Sequence, residues 1–193
     1  DGGGIYCINS SPSLENITIM NNSASDDGGG IYCHDCSSTI INLTITGNSA
    51  SDDGGGIYCS GDPPSLENVT ISNNSASDNG GGIYCSNFSS PTLVNCILWN
   101  DSPNEIHNDS STIIISYSNI QGGWEGEGNI NANPLFCNPD SSDFTLAVNS
   151  PCVGTGENGA NMGAFGIGCE PFNFGQIVIN EIMQNPSVVS DAD

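Results

Sequence analysis

Short runs of alternating apolar and polar residues recur along the first half of this chain at one fixed step. Residues 13–22 read SLENITIMNN, residues 39–48 TIINLTITGN and residues 65–74 SLENVTISNN. Laid over one another, they give three apolar columns: Leu14, Ile40, Leu66; Ile17, Leu43, Val69; and Ile19, Ile45, Ile71. A looser fourth copy, PTLVNCILWN at 91–100, is shifted by one residue and adds Leu93, Cys96 and Leu98 to the same columns. Thr18, Thr44 and Thr70 fall between the last two columns and are expected to face outward. Period-two alternation on β-branched residues predicts strands, and the recurring Gly, Asn and Ser oppose a helix.

A second phrase precedes each of these runs. SASDDGGGIYC spans 23–33 and 49–59, SASDNGGGIYC spans 75–85, and the chain opens on DGGGIYC. Tyr6, Tyr32, Tyr58 and Tyr84 therefore lie 26 residues apart, as do Cys7, Cys33, Cys59 and Cys85. A fixed period in this range marks a stacked repeat, in which each unit buries its apolar face against its neighbours. Each unit reads as about three short strands: GGIYC, the stretch around Leu14, and the stretch from Ile17 to Ile19. Leucine-rich repeats need more than one Leu per unit, and a propeller blade needs roughly 40 residues. The calcium-binding nonapeptide roll has a step of about nine, which does not divide the period. Units without helix, stacked in register, predict an all-β parallel β-helix, a solenoid of 26-residue rungs with a C-terminal cap.

The polar columns then acquire roles. Asn16, Asn42 and Asn68 form one column and Asn22, Asn48 and Asn74 another. An amide both donates and accepts, so such columns can run as hydrogen-bonded ladders, and Asn tolerates the left-handed backbone of a sharp corner. The sequons NIT, NLT and NVT at the first column are the glycosylation alternative. The glycine triplets are expected to turn the chain and let one rung lie close on the next. The cysteine column is expected to point inward as buried thiols, because in-register neighbours about 4.8 Å apart exceed the Cβ separation of roughly 3.5 to 4.5 Å that a disulfide needs. The tyrosines alternate with inward Ile and Cys. They are expected to form an outward aromatic strip, either covering one another or offering a surface to sugar rings or a protein partner.

Charge narrows the functions. The chain has 22 acids, no Lys or Arg, and a net charge of −22. That excludes nucleic acid, which is bound through cations on phosphate, and anionic membrane surfaces. No apolar run reaches the length of a membrane span. Asp26, Asp27, Asp52, Asp53 and Asp78 stack along one edge. Like charges there meet at about 4.8 Å, costing about 0.9 kcal/mol per neighbouring pair even in water. The acids either splay into solvent or share cations, and calcium, a hard ion taking carboxylate and carbonyl oxygens, suits them. No cofactor is required. CHDC at 33–36 lacks the second ligand pair of a zinc site. His34, taken as a loop residue, and His107 lie in no recurring column. Cys137, Cys152 and Cys169 lie in the cap, where one bridge is expected. How they and Cys36 connect is open, and a bridge would fit an extracellular setting.

The phrase GGGIYC followed by SP, L, N, TI and N resembles the rungs of right-handed parallel β-helix proteins of bacterial surfaces, in the pectate-lyase-like superfamily and the style of polymorphic outer-membrane proteins. Residues 128–166, from GNINANPLFCN to NMGAFG, look like the segment that closes such helices, and IVINEIMQNPSVVSDAD at 177–193 is similar to the first strand of a lamin-tail domain. The resemblance implies a right-handed helix over residues 1–127, whose fifth rung STIIISYSNIQGG is degenerate. It implies a closing segment at 128–170, and a linker and truncated lamin-tail strand at 171–193. It also implies a non-catalytic structural or adhesive stalk of a secreted or surface-displayed bacterial protein, with glycans or cell-surface proteins as partners. Lyases of this superfamily use calcium with an Arg or Lys base, and its hydrolases use clustered Asp with His and basic residues. Neither set is present, so no catalytic residue is expected here. The chain starts in mid-repeat and reads as part of a longer protein, so an enzyme whose catalytic rungs lie outside it is the alternative. Ice binding by the Thr18, Thr44, Thr70 column is a minor one, since only TIT at 44–46 fits a Thr-x-Thr array.

Overall fold

The computed structural model describes residues 1–172. The lamin-tail resemblance and most of the linker lie outside the described residues. The chain winds into five stacked rungs that build three parallel five-stranded sheets. The first sheet is Ile5–Ile8, Ile31–His34, Ile57–Ser60, Ile83–Ser86 and Ile106–Asn108. The second is Ser13–Glu15, Thr39–Ile41, Ser65–Glu67, Thr92–Val94 and Ile114–Ser116. The third is Thr18–Met20, Thr44–Thr46, Thr70–Ser72, Ile97–Trp99 and Asn119–Ile120. A fourth, three-stranded sheet of Ser23–Ala24, Ser49–Ala50 and Ser75–Ala76 completes the perimeter. The sequence pattern did not separate this last element from the turn.

Register follows the columns. Ile5 faces Ile31, Ile31 faces Ile57 and Ile57 faces Ile83, and Leu66 pairs with Leu93 across the one-residue shift. Ile31, Ile40, Ile45, Ile57, Ile71, Ile83, Leu93 and Leu98 are fully buried inside the coil with Cys33, Cys59 and Cys85. Each such aliphatic contributes about 1.5–3 kcal/mol. The core therefore runs as a continuous thread along the axis, as nearest-neighbour stacking requires.

The glycine triplet divides its work. Gly28 has φ +69°, the left-handed corner, whereas a Cβ on Gly29 or Gly30 would lie 2.5 Å from the carbonyl oxygen of Gly55 or Gly56 in the next rung. The first glycine turns the chain, and the other two let backbone approach backbone.

Past the fifth rung the chain does two things. Trp124 packs on the end of the axial core, and Ile120 N–H bonds the Ile130 carbonyl. The chain then folds back along the side of the coil. Phe136–Asn138, Asp143–Ala147 and Ile167–Cys169 form a small mixed sheet, stapled by the Cys137–Cys169 disulfide. Its Phe136, Phe144 and Leu146, with Cys152 and Met162, pack on Ile97 and beside Trp99 to form a second core. Ile97 and Trp99 point outward from the third sheet, at positions where earlier rungs carry Thr44 and Thr46, then Thr70 and Ser72. Among the described residues the helical turns are Pro139–Ser141 and Glu157–Gly159.

This packing corrects the exposed threonine array. Thr44 and Thr70 are only 3% and 1% exposed. Residues 163–165 lie over this face: Ala164 N–H donates to Thr70 Oγ1 at 3.0 Å and Gly163 N–H to the Asn95 carbonyl at 2.7 Å. A flat threonine surface for ice is not presented.

Candidate functional site

The outward face of the first sheet carries the tyrosines in register. Tyr6–Tyr32, Tyr32–Tyr58 and Tyr58–Tyr84 stack with ring centroids 5.1, 5.0 and 5.3 Å apart and interplanar angles of 16°, 3° and 12°. His107 continues the column, 5.2 Å from Tyr84 and 4° from parallel. It pairs directly with Tyr84, which corrects the reading that it stands outside any column. His34 likewise ends a strand, between Ile8 and Ser60, and not in a loop. The π faces are turned on one another, so a sugar ring cannot lie flat on the inner rings. Edges and hydroxyls remain, and Tyr6, in the first described rung, is 53% exposed. Burial, then the nearby Asp53, pushes the Tyr84 hydroxyl up to about 12.

Beside this strip run the acids. Asp1, Asp27 and Asp53 occupy one column, which passes to Asn79. The Asp53 N–H donates to Asp27 Oδ1 at 3.0 Å, and Asn79 Nδ2 to Asp53 Oδ1 at 3.2 Å. Asp26, Asp52 and Asp78 form the outer column, all exposed. Burial and then the neighbouring acids raise Asp27, its bond from the Asp53 amide opposing them. Contact with the Asp26 carboxyl raises Asp52. The carboxylates of Asp1, Asp26 and Asp27 lie within 4.8 Å of one another. Among the described residues those three oxygens are the ones close enough to share a hard cation; Asp1 was not among the acids singled out in the sequence, and Asp52, Asp53 and Asp78 are not brought into the cluster.

The asparagine columns differ from each other. Asn42 Nδ2 donates to Asn16 Oδ1 and Asn68 Nδ2 to Asn42 Oδ1, both at 3.2 Å, on the outside. These residues have φ of 55°, 56° and 53° and make the corner themselves. The second ladder is interior. Asn22 Nδ2 donates to Asn48 Oδ1 and Asn48 Nδ2 to Asn74 Oδ1, each at 3.0 Å. Each oxygen also accepts the backbone N–H of the preceding rung's Asn. Here the left-handed residue is one earlier, at Asn21, Gly47, Asn73 and Asn100. The corner-forming role expected of Asn22, Asn48 and Asn74 thus belongs to their neighbours.

The interior ladder ends on an acid. Asn74 Nδ2 donates to Asp101 Oδ1 at 2.9 Å, and Asp101 N–H donates to Glu105 Oε1 at 3.1 Å. Asp101 and Glu105 are each 8% exposed, and their remaining oxygens, Oδ2 and Oε2, have no partner among the described residues. Burial, then the Glu105 carboxylate, drives Asp101 well above the usual carboxylate range, and burial raises Glu105. A proton on the pair relieves the like-charge contact, since two buried charges without a cation cannot persist. Sequence reasoning missed this pair. The available signal was Asp101 standing in the Asn column, one residue out of step.

The cysteines are placed as buried thiols in the first-sheet column, and burial drives Cys33 up to about 12. Cys36 is also buried and donates to the His34 carbonyl at 3.1 Å. In CHDC the two thiols therefore enter the core, while the His34 imidazole lies outside, 3.4 Å from Asp35. The motif's ligands diverge. Of the cap cysteines, Cys137 and Cys169 are bridged and Cys152 is free and buried.

Five in-register parallel rungs with stacked Tyr, Asn and Cys define a parallel β-solenoid. Residues 3–131 match the family described as right handed beta helix region, and the chain belongs to that family. No curated protein and no solved structure matches it.

Proposed function

We propose that this chain acts as a non-catalytic structural or adhesive rod in a secreted or surface-displayed bacterial protein. One observation supports this most: the recurring side chains are turned on copies of themselves, Tyr on Tyr and Asn on Asn. A catalytic centre needs different groups converging on one point, whereas these columns spread one chemistry along a line. In-register stacking gives length and stiffness from short units. The Cys137–Cys169 bridge supports an oxidising compartment.

The test is incubation of the protein with pectin, alginate and neutral glycans. The expected result is no release of unsaturated or reducing sugar. Release that disappears on Asp27→Asn or Asp101→Asn overturns the reading.

A further inference from the structure

The groove between the outer face of the third sheet and the C-terminal segment has a lining unlike the rest of the surface. Its volume is about 310 Å³, at the small end of ligand pockets. Trp99 and Ser72 floor it from the coil, and Phe136, Leu135 and Phe172 wall it from the C-terminal segment. Phe172 is held there by its N–H on Asn149 Oδ1 and its carbonyl on Asn149 Nδ2, at 3.0 and 2.9 Å, yet stays 39% exposed. Around these apolar surfaces stand Asn73, Asn100, Asn133 and Asp140.

Three features point to a ligand. First, polar capacity is unspent: no hydrogen bond among the described residues uses the side chains of Asn73, Asn100 or Asp140, and Asn133 uses only Oδ1, on the Leu135 N–H. Second, Asn73 and Asn100 are consecutive left-handed corner residues, with φ of 58° and 64°, so two amides project side by side at the rung spacing. Third, Leu135 is a bulky residue at φ 52°. Such strain persists only where surrounding structure imposes it, and it concentrates at binding and catalytic sites.

Charge decides the ligand class. In a chain of 22 acids and no bases this groove carries one carboxylate, which repels an anion and gives a cation only one charged partner. A sugar residue has an apolar C–H face that packs on aromatic rings, and hydroxyls that pair with amides and a carboxylate. We propose that this groove binds a neutral saccharide, one or two residues at the end of a glycan, with the Trp99 and Phe172 rings against its apolar face. Asn73, Asn100, Asn133 and Asp140 take its hydroxyls. The proposal rests on the adhesive half of the reading above. It moves recognition from the tyrosine strip, whose ring faces are occupied, to the junction with the C-terminal segment.

The test uses the whole chain on an array of neutral and uronate oligosaccharides, followed by titration calorimetry with the best soluble neutral oligosaccharide. Neutral sugars are expected to bind and uronates not to. Asn73→Gly/Asp140→Ala, whose glycine keeps the left-handed corner, removes two exposed partners and is expected to weaken binding about tenfold, each lost hydrogen bond giving about two- to tenfold. The melting temperature should hold. Tyr58→Ala should bind as the parent does. Binding that survives Asn73→Gly/Asp140→Ala but is lost in Tyr58→Ala overturns the groove and leaves an adhesive rod. No binding to any neutral sugar also overturns the groove, with the rod still judged by its own cleavage assay. Binding in the groove accompanied by cleavage upholds the site and overturns the rod.

Discussion

In the first rungs the tyrosine and interior asparagine columns are one residue type repeated; at the fourth and fifth rungs they and the outer face of the third sheet change. Asn22, Asn48 and Asn74 give way to Asp101, Tyr84 to His107, and the outward Thr70 and Ser72 to Ile97 and Trp99. Identical residues suffice while each rung has an identical neighbour, because what one donates the next accepts. At the junction the neighbour changes. An acid whose Oδ1 accepts from Asn74 ends the ladder, an imidazole ends the ring stack, and two apolar residues recruit the C-terminal sheet. Repetition propagates the coil, and substitution within the columns stops it.

The contrast can be broken most severely at the second core. Phe144→Ala is expected to cost about 3–5 kcal/mol. Hydrogen exchange should then show the amides around Thr70 and Ala164 opening, while Ile31, Ile57 and their neighbours stay protected. Uniform loss of protection would mean that the coil and the C-terminal sheet fold as one unit.

A smaller effect separates the two ladders. Asn74→Ala strips partners from the buried Asn48 amide and side chain, at roughly 1–3 kcal/mol. Asn42→Gly, which removes the exposed ladder's amide but keeps the left-handed corner, should cost clearly less. Chemical denaturation compares them, and equal midpoints would show that burial does not distinguish the columns.

The ladder's acid end responds to pH. Asp101 is raised in the folded state. The stability it contributes is therefore fully present below its unfolded pKa, and is lost as pH rises through the folded one. Asp101→Asn continues the amide column without that titration. Its melting temperature should exceed the parent's at pH about 8 and approach it at about 4, near the ordinary carboxylate value of about 3.9. A pH-independent difference between the two proteins would mean that Asp101 does not take up a proton on folding.

Smallest is the acidic edge. Raising sodium chloride to about 1 M, where the Debye length is about 3 Å, should raise the melting temperature modestly. Asp27→Asn/Asp53→Asn should shrink that gain. Calcium stabilising beyond sodium at matched ionic strength would give the Asp1, Asp26 and Asp27 carboxylates a shared ion.

The coil was legible because a solenoid writes each contact at a fixed offset: Ile19 on Ile45 on Ile71 is both a sequence column and a ladder. The junction was not, for two physical reasons. The step lengthens at Leu66 to Leu93, then shortens between Tyr84 and His107, so His107 and Asp101 drop out of phase. And the chain covering Thr70 arrives from Ala164, a separation no local pattern encodes. Of the corner positions, Gly47 was a readable sign that the turn falls one residue before Asn48. The groove depended on both failures, since it pairs Asn73 and Asn100 with residues beyond Asn133.

The register has one further consequence. Ile5 meets Ile31 as Ile31 meets Ile57, and Asn22 meets Asn48 as Asn48 meets Asn74. Removing residues 27–52, or inserting a second copy of them, would leave the isoleucine, tyrosine, cysteine and asparagine seams chemically the same as before. Gain or loss of such a unit would thus lengthen or shorten the molecule in whole turns while keeping these seams. Reach, in this design, is a heritable quantity that can vary while the terminating surfaces stay fixed.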